Sequence, residues 1–226
     1  NPPIYTREFG ALLIQKRQAE FPHLPPLNIK IVESSDKSIP LTANFKLRFF
    51  GLTHSIPDST GIIIETPYGD IINTGDVRVE NENGVPAEKE VEQYKMFKDR
   101  NVLLFTMDST GIDKSGFSPS ETSILKNIDA IVASAPGRVI LATFASPVER
   151  IVVFLNTARR YGRKVLIEGR SMKTNVDIIK HLNLVNTDHI VPIEDIEKYP
   201  PNKILMIATG AQGEEFAALM RMSNKT

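Results

Sequence analysis

A chain of 226 residues with 41% hydrophobic content can bury one large core or two small ones, and its 27 basic and 27 acidic side chains cancel. That balance excludes a global charge pulling the chain toward nucleic acid or a membrane, so any RNA-binding surface is local. Cysteine is absent, which excludes disulfides and thiolate metal sites and fits a cytoplasmic protein; no apolar run approaches the roughly 18 residues that span a bilayer, and Asn1-Pro2-Pro3 is not a signal peptide.

Residues 1–22 carry one helical pattern, with Phe9, Leu12, Leu13 and Lys16 at helix spacing after an extended Pro3-Ile4-Tyr5 entry; Pro22, Pro25 and Pro26 end it. Residues 29–32 and 45–50 read as strands, the second alternating in part. The richest stretch follows at 49–76, FFGLTHSIPDSTGIIIETPYGDIINTGD. His54 sits where a strand gives way to a loop. GIIIET (61–66) reads as a buried β-branched strand, Pro67-Tyr68-Gly69-Asp70 as a tight turn and Ile71-Ile72 as the returning strand, and Asn73-Thr74-Gly75 then presents Asp76. Loops carried on a rigid scaffold are where ligating side chains are displayed, although a lone His and Asp at this spacing are more often ordinary solvated or hydrogen-bonded residues.

Residues 77–90 read as a polar surface loop and 89–100 as a helix with Val91, Tyr94 and Phe97 inward. VLLFTM (102–107) reads as a central strand delivering Asp108-Ser109-Thr110. GFSPSE (116–121) then opens a helix with Ser118 and Ser120 as caps. From about Thr122 strands and helices alternate, which predicts a parallel sheet with crossover helices. Residues 138–144, 164–168, 190–193 and 204–208 are its strands. Ser146-Pro147-Val148-Glu149 has the form of a capping box, and Val148, Ile151, Val152, Leu155 and Ala158 make one apolar helix face closed by Gly162. Three strand-to-helix turns carry small or hydroxyl residues: Thr143-Phe144-Ala145-Ser146, Gly169-Arg170-Ser171 and Thr209-Gly210-Ala211-Gln212-Gly213. In an open parallel sheet all three fall at the carboxyl edge, where helix N-termini favour anions. Between 138 and 173 eight basic residues face two acids, a local excess that suits phosphate contact.

HSIPDS followed by NTGD resembles the metallo-β-lactamase-type nucleases of the β-CASP group, with ribonuclease J the most similar branch. The later DST, GFSPSE, TFASPVER, GRSM and TGAQGEE stretches resemble that family's further signatures, with Pro147 and Ala211 replacing an asparagine and a serine usual there. The resemblance implies an α/β fold: a partial metallo-β-lactamase αββα sandwich over 1–121 and a partial α/β β-CASP lobe with a mainly parallel sheet over 122–226. It implies zinc-dependent hydrolysis of RNA phosphodiesters, both internally and from a 5′-monophosphate end. His54 and Asp76 would be metal ligands, Asp76 bridging two zinc ions, with Asp58 behind His54 and Asp108 orienting a ligand or the leaving group. Ser146, Arg150, Arg170, Ser171, Gly210, Gln212 and Gly213 would meet RNA. It also implies assembly of the complete protein with itself or a paralogue.

Two-metal hydrolysis holds its ions about 4 Å apart with a larger set of ligands, which in this family come mostly from an HxHxDH motif upstream and a histidine far downstream. The four histidines here, His23, His54, His181 and His189, supply neither. The resemblance therefore implies an internal section of such a nuclease, a truncated or proteolysed piece inactive as it stands. Two other readings stay open: a non-catalytic RNA-binding or scaffold subunit, and a metallo-hydrolase of small molecules such as thioesters, against which the long second half speaks.

Overall fold

The structure, a computed structural model, describes residues 2–32, 37–213, 215 and 217–224. It divides into two compact units, residues 1–121 and 122–226. Both mix helices and strands, and among the described residues no helix is long and apolar enough to cross a membrane.

Unit 1 begins with β1 (Ile4–Thr6), α1 (Glu8–Ala19) and β2 (Ile29–Ile31), the two strands pairing in parallel. Its main sheet is built from β3 (Ile39–Pro40), β4 (Lys46–Gly51), β5 (Thr60–Thr66) and β6 (Gly69–Asn73). A short hairpin of β7 (Asn81–Glu82) and β8 (Val85–Pro86) leads to α2 (Glu88–Tyr94), a 3-10 turn at Lys95–Phe97 and β9 (Val102–Thr106). The sheet order is β3-β4-β5-β6-β9, antiparallel throughout except for the β6–β9 pair. The sheet is packed on both faces. Phe50, Leu52, Ile63 and Ile72 meet Tyr94, Met96 and Phe97 on one side, while Val32, Leu47 and Phe49 meet Tyr5, Ile39, Ile62 and Ile64 on the other. A strand covered twice reads as a continuous apolar run, which is why GIIIET does not alternate.

Three expectations for this unit need correction. The 102–107 run is the edge strand of the sheet, not a central one, and Val102, Leu103, Leu104 and Phe105 are all exposed; an apolar run reports hydrophobicity, not the order in which strands pair. The 77–90 segment is not a plain loop: Asn83 and Gly84 both take positive φ (53° and 81°), as a two-residue hairpin turn requires, and Glu80 and Asn81 are buried. In the helix that follows, Val91 is exposed and Glu90 turns inward, while Tyr94 and Phe97 pack as expected.

Unit 2 runs α3 (Glu121–Ser134, its first residue closing unit 1), β10 (Val139–Ala142), α4 (Val148–Arg160), β11 (Lys164–Glu168), α5 (Arg170–His181), β12 (Ile204–Ala208) and α6 (Ala218–Ser223). Its sheet is wholly parallel in the order β10-β12-β11, with all five β12 residues buried. The 190–193 segment is not a full strand; it touches β11 through one bridge, Val165 to Ile190, before a 3-10 helix at Ile193–Lys198. Nor does the capping box form. Pro147 is itself the N-cap of α4, and a proline side chain has no acceptor to offer the first-turn N–H groups. Of the apolar face read for α4, Val148, Ile151, Leu155 and Ala158 are buried and Val152 is half-buried, and Phe154 joins them.

His189 closes this core. Its Nε2 lies 2.9 Å from the Leu155 carbonyl, so Nε2 carries the proton, and Nδ1 is buried without a partner among the described residues. Burial, above all, lowers its pKa below the ordinary 6.5; the Leu155 carbonyl raises it in opposition, Arg159 and Lys164 lower it further, and Asp188 raises it. The folded chain thus binds fewer protons than the unfolded one. The stability contributed by the neutral ring is complete above about pH 6.5 and is lost as the pH falls through the lowered folded value. The urea midpoint of unit 2 is expected to drop between pH 7 and pH 5, and His189→Gln to flatten that slope; an unchanged slope in the variant would count against the assignment.

Candidate functional site

Strand ends deliver three acidic or imidazole side chains on loops of unit 1: His54 after β4, Asp76 after β6 and Asp108 after β9. β6 and β9 pair in parallel, with one register shift after Asp70, up to Asn73 opposite Thr106, so the two carboxylates leave from one end of neighbouring strands. The junction is stitched by Asn73 Nδ2 donating to Thr106 Oγ1 at 2.7 Å and by the Asp108 N–H donating to Thr74 Oγ1 at 3.3 Å. Gly75, at φ 62°, takes the left-handed turn that presents Asp76, and its N–H is held by Asn73 Oδ1 at 2.8 Å.

The residues just after Asp76 reach both other loops. The Val77 N–H donates to Asp108 Oδ2 at 3.4 Å, and the Arg78 N–H donates to the Thr53 carbonyl at 2.8 Å, next to His54. His54 and Asp76 are exposed and Asp108 half-buried. The Thr110 N–H, first, then its hydroxyl and the Val77 N–H hold the Asp108 carboxyl below the usual carboxylate range, with a smaller contribution from the charge of His54.

Asp58 does not stand behind His54. Its Oδ2 accepts the Phe9 N–H at 2.9 Å, satisfying a first-turn donor of α1, where Arg7 provides no side-chain cap; its Oδ1 is buried without a partner among the described residues. The group beside His54 Nδ1 is Ser55 Oγ, at 2.9 Å. Among the described residues no three His, Asp or Glu side chains gather in a way that could hold a metal ion.

Sequence reasoning missed the residues that fix these loops. The Arg78 guanidinium contacts Glu80 at 2.6 Å and Glu121 at 3.0 Å, and the second oxygen of Glu80 accepts the Glu121 N–H at 2.8 Å. Asn81 Nδ2 donates to the Ser118 carbonyl at 2.9 Å. Thr53 Oγ1 donates to Glu90 Oε1 at 2.6 Å, and Glu90 is 1% exposed. One local signal was available: in Val77-Arg78-Val79-Glu80 an extended chain puts Arg78 and Glu80 on one side and the valines on the other.

In unit 2 the three turns start from one rung of the sheet, because Ala142 and Glu168 both pair with Ala208. The Thr143 N–H donates to Ala208 at 3.0 Å, the Thr209 N–H to Glu168 at 3.2 Å, and Asn175 Nδ2 to Ala145 at 2.7 Å. Gly169 (φ 107°) and Gly210 (φ 118°) are required: a Cβ at Gly169 would lie 2.4 Å from Thr209 Oγ1, and one at Gly210 would lie 2.9 Å from the Leu219 Cβ. Ser146, Arg170, Ser171, Gln212 and Gly213 are exposed on these turns, and Arg150 is half-buried one turn into α4. The basic excess of 138–173 is smaller at the surface than in the sequence. Arg163 is buried, Arg160 pairs with Asp129 at 2.8 Å and Lys173 with Glu168 at 3.0 Å.

Residues 136–226 match the family model described as Ribonuclease J, beta-CASP domain. Ribonuclease J of Mycoplasma genitalium is 40% identical over 224 residues, covering 98% of this chain and 39% of that protein. Ribonuclease J of Thermus thermophilus is 34% identical over 226 residues with the same coverage, and Ribonuclease J2 of Bacillus subtilis is 28% identical over 225 residues, 40% of its length. The chain thus spans about two fifths of the length of the curated relatives it matches. Among solved structures, a protein of unknown function from Enterococcus faecalis superposes with a TM-score of 0.63 at 15% identity, over 91% of this chain and 52% of that one, a likeness of fold.

Proposed function

We infer that this chain, a homologue of ribonuclease J along nearly its whole length, is part of a metal-dependent ribonuclease that hydrolyses RNA phosphodiesters in RNA processing and decay, cutting internally and from a 5′ end. Unit 1 is then a partial metallo-β-lactamase domain with His54, Asp76 and Asp108 at its site. Unit 2 is a partial β-CASP domain that holds RNA by Ser146, Arg150, Arg170, Ser171, Gly210, Gln212 and Gly213. The observation that carries this reading is the departure of the three turns from one rung of a parallel sheet, two of them opening directly into the helix N-termini of α4 and α5, inside the stretch that matches the β-CASP model.

The metal site is a partial fit. A zinc ion takes four nitrogen, oxygen or sulfur donors, three of them from protein in catalytic sites. His54 and Asp76 are right in type and too few, and the described residues gather no third. The zinc ions of the complete protein would need ligands from outside this set, and the chain by itself is inactive.

Fluorescence anisotropy with a 5′-monophosphorylated single-stranded RNA tests the RNA half. The 226-residue chain is expected to bind with an affinity that falls steeply as salt rises, and Arg170→Ala to weaken binding and flatten the salt slope by about one. Added zinc or manganese is expected to give no cleavage. An absence of RNA binding at low salt would remove the nucleic-acid reading, and cleavage by this chain would remove the claim that its site is incomplete.

A further inference from the structure

We propose that Arg78 is the positioning residue of the unit 1 site, fixing where Asp76 stands relative to His54; the functional meaning of that separation rests on the nuclease reading above, but the contacts do not. Arg78 lies two residues beyond Asp76. Its N–H donates to the carbonyl of Thr53, the residue before His54, at 2.8 Å, so a single backbone bond joins the loops of the two candidate ligands. That bond holds only while the backbone at residue 78 stays against residue 53.

The side chain supplies the constraint. Its two terminal nitrogens go to different carboxylates, Nη2 to Glu80 at 2.6 Å and Nη1 to Glu121 at 3.0 Å. Glu80 closes the ring by accepting the Glu121 N–H on its other oxygen at 2.8 Å. Glu80 is only 9% exposed, so its carboxylate is costly to leave unpaired. A planar fork spanning two carboxylates fixes direction as well as distance, which the single charged nitrogen of lysine cannot do. Upstream, Gly75 and Asn73 already hold the turn, and Val77 is tied to Asp108. Arg78 is the downstream anchor, and Asp76 sits between the two.

Amide hydrogen exchange and 15N spectra of the metal-free and RNA-free chain test this in Arg78→Met, Arg78→Lys and Glu80→Gln. In Arg78→Met the residue 78 amide is expected to lose at least about ten-fold in protection, with shifts at His54 and Asp76, while the Ile63 and Ile72 amides of the central strands keep theirs. Arg78→Lys is expected to restore part of the protection, and Glu80→Gln to reproduce the loop changes in weaker form. Unchanged signals at 53–54 and 76–77 would overturn the proposal, and so would a uniform loss across the sheet, which would make Arg78 a general stabiliser. Neither RNA nor metal enters the readout. A chain that fails to bind RNA yet shows this exchange pattern would sink the nuclease reading and leave the positioning role standing.

Discussion

Arg163→Met is expected to cost unit 2 about 3 kcal/mol of folding stability, because buried carbonyls lose a charged donor and each such loss costs roughly 1–3 kcal/mol. Arg163 follows the left-handed Gly162 that ends α4 and is 4% exposed. Its Nη2 donates to the carbonyls of Val132 (3.0 Å) and Ala135 (2.8 Å), its Nη1 to those of Gly137 (2.9 Å) and Ile204 (3.2 Å). One of these carbonyls, Val132, lies in the last turn of α3 and Ala135 directly follows the helix, where acceptors are left unpaired and the dipole presents negative charge. One guanidinium thus satisfies the α3 terminus, the turn after it and the first residue of β12. Methionine matches the stem and strands two buried acceptors, Val132 and Ile204, each costing about 1–3 kcal/mol, and two part-buried ones, Ala135 and Gly137, that water can reach. Arg163→Lys is expected to recover less than half, since one ammonium has three donors and no fork. Urea titration followed by circular dichroism measures this, and a loss below about 1 kcal/mol for the methionine variant would mean that the clamp is no stronger than solvation of the same groups.

Gly61→Ala is expected to cost unit 1 about 3 kcal/mol, as much as losing a large part of a buried aromatic side chain. Gly61 pairs with Phe50 across β4 and β5, and a Cβ built on it would meet the Phe50 ring at 2.2–2.8 Å. The ring has no free direction to retreat: it is 1% exposed and stands edge-on to Phe97 with centroids 5.0 Å apart. The glycine is therefore the floor on which the aromatic lies. Combining Gly61→Ala with Phe50→Leu is expected to recover about 1–2 kcal/mol, within the coupling range of residues in contact. Strictly additive losses in the double variant would show that the two positions do not compete for one space.

Unit 2 was the more legible half, because glycine and proline punctuate each strand-to-helix step and the helix faces repeat at 3.6 residues. The anchors of unit 1 were hidden by distance along the chain. Glu80 reaches Glu121 across 41 residues, and Asp58 reaches Phe9 across 49, so no local pattern announces either. Asp58 was read as a partner of His54 because a metal-bound imidazole usually donates its other N–H to a carboxylate; in the fold that carboxylate accepts the Phe9 N–H at the start of α1 instead. Arg163 looked like one more surface cation in a basic stretch, since only tertiary packing decides whether an arginine points out or in. The placement of β9 at the sheet edge was hidden for a related reason: composition reports how apolar a strand is, neither its burial nor its neighbours. Asn83-Gly84, by contrast, was a readable hairpin signal absorbed into a loop.

The order β10-β12-β11 sets a timetable for synthesis. The strands at 139–142 and 164–168 leave the ribosome as strangers, because neither borders the other; only when 204–208 emerges and slides between them does either gain a neighbour from this trio. Until then α4 and α5 have no assembled sheet to rest on, and the nascent lobe stays open to chaperones and proteases. A pause in translation before Ala208 has cleared the exit tunnel is expected to hold this lobe open longer than a pause after it.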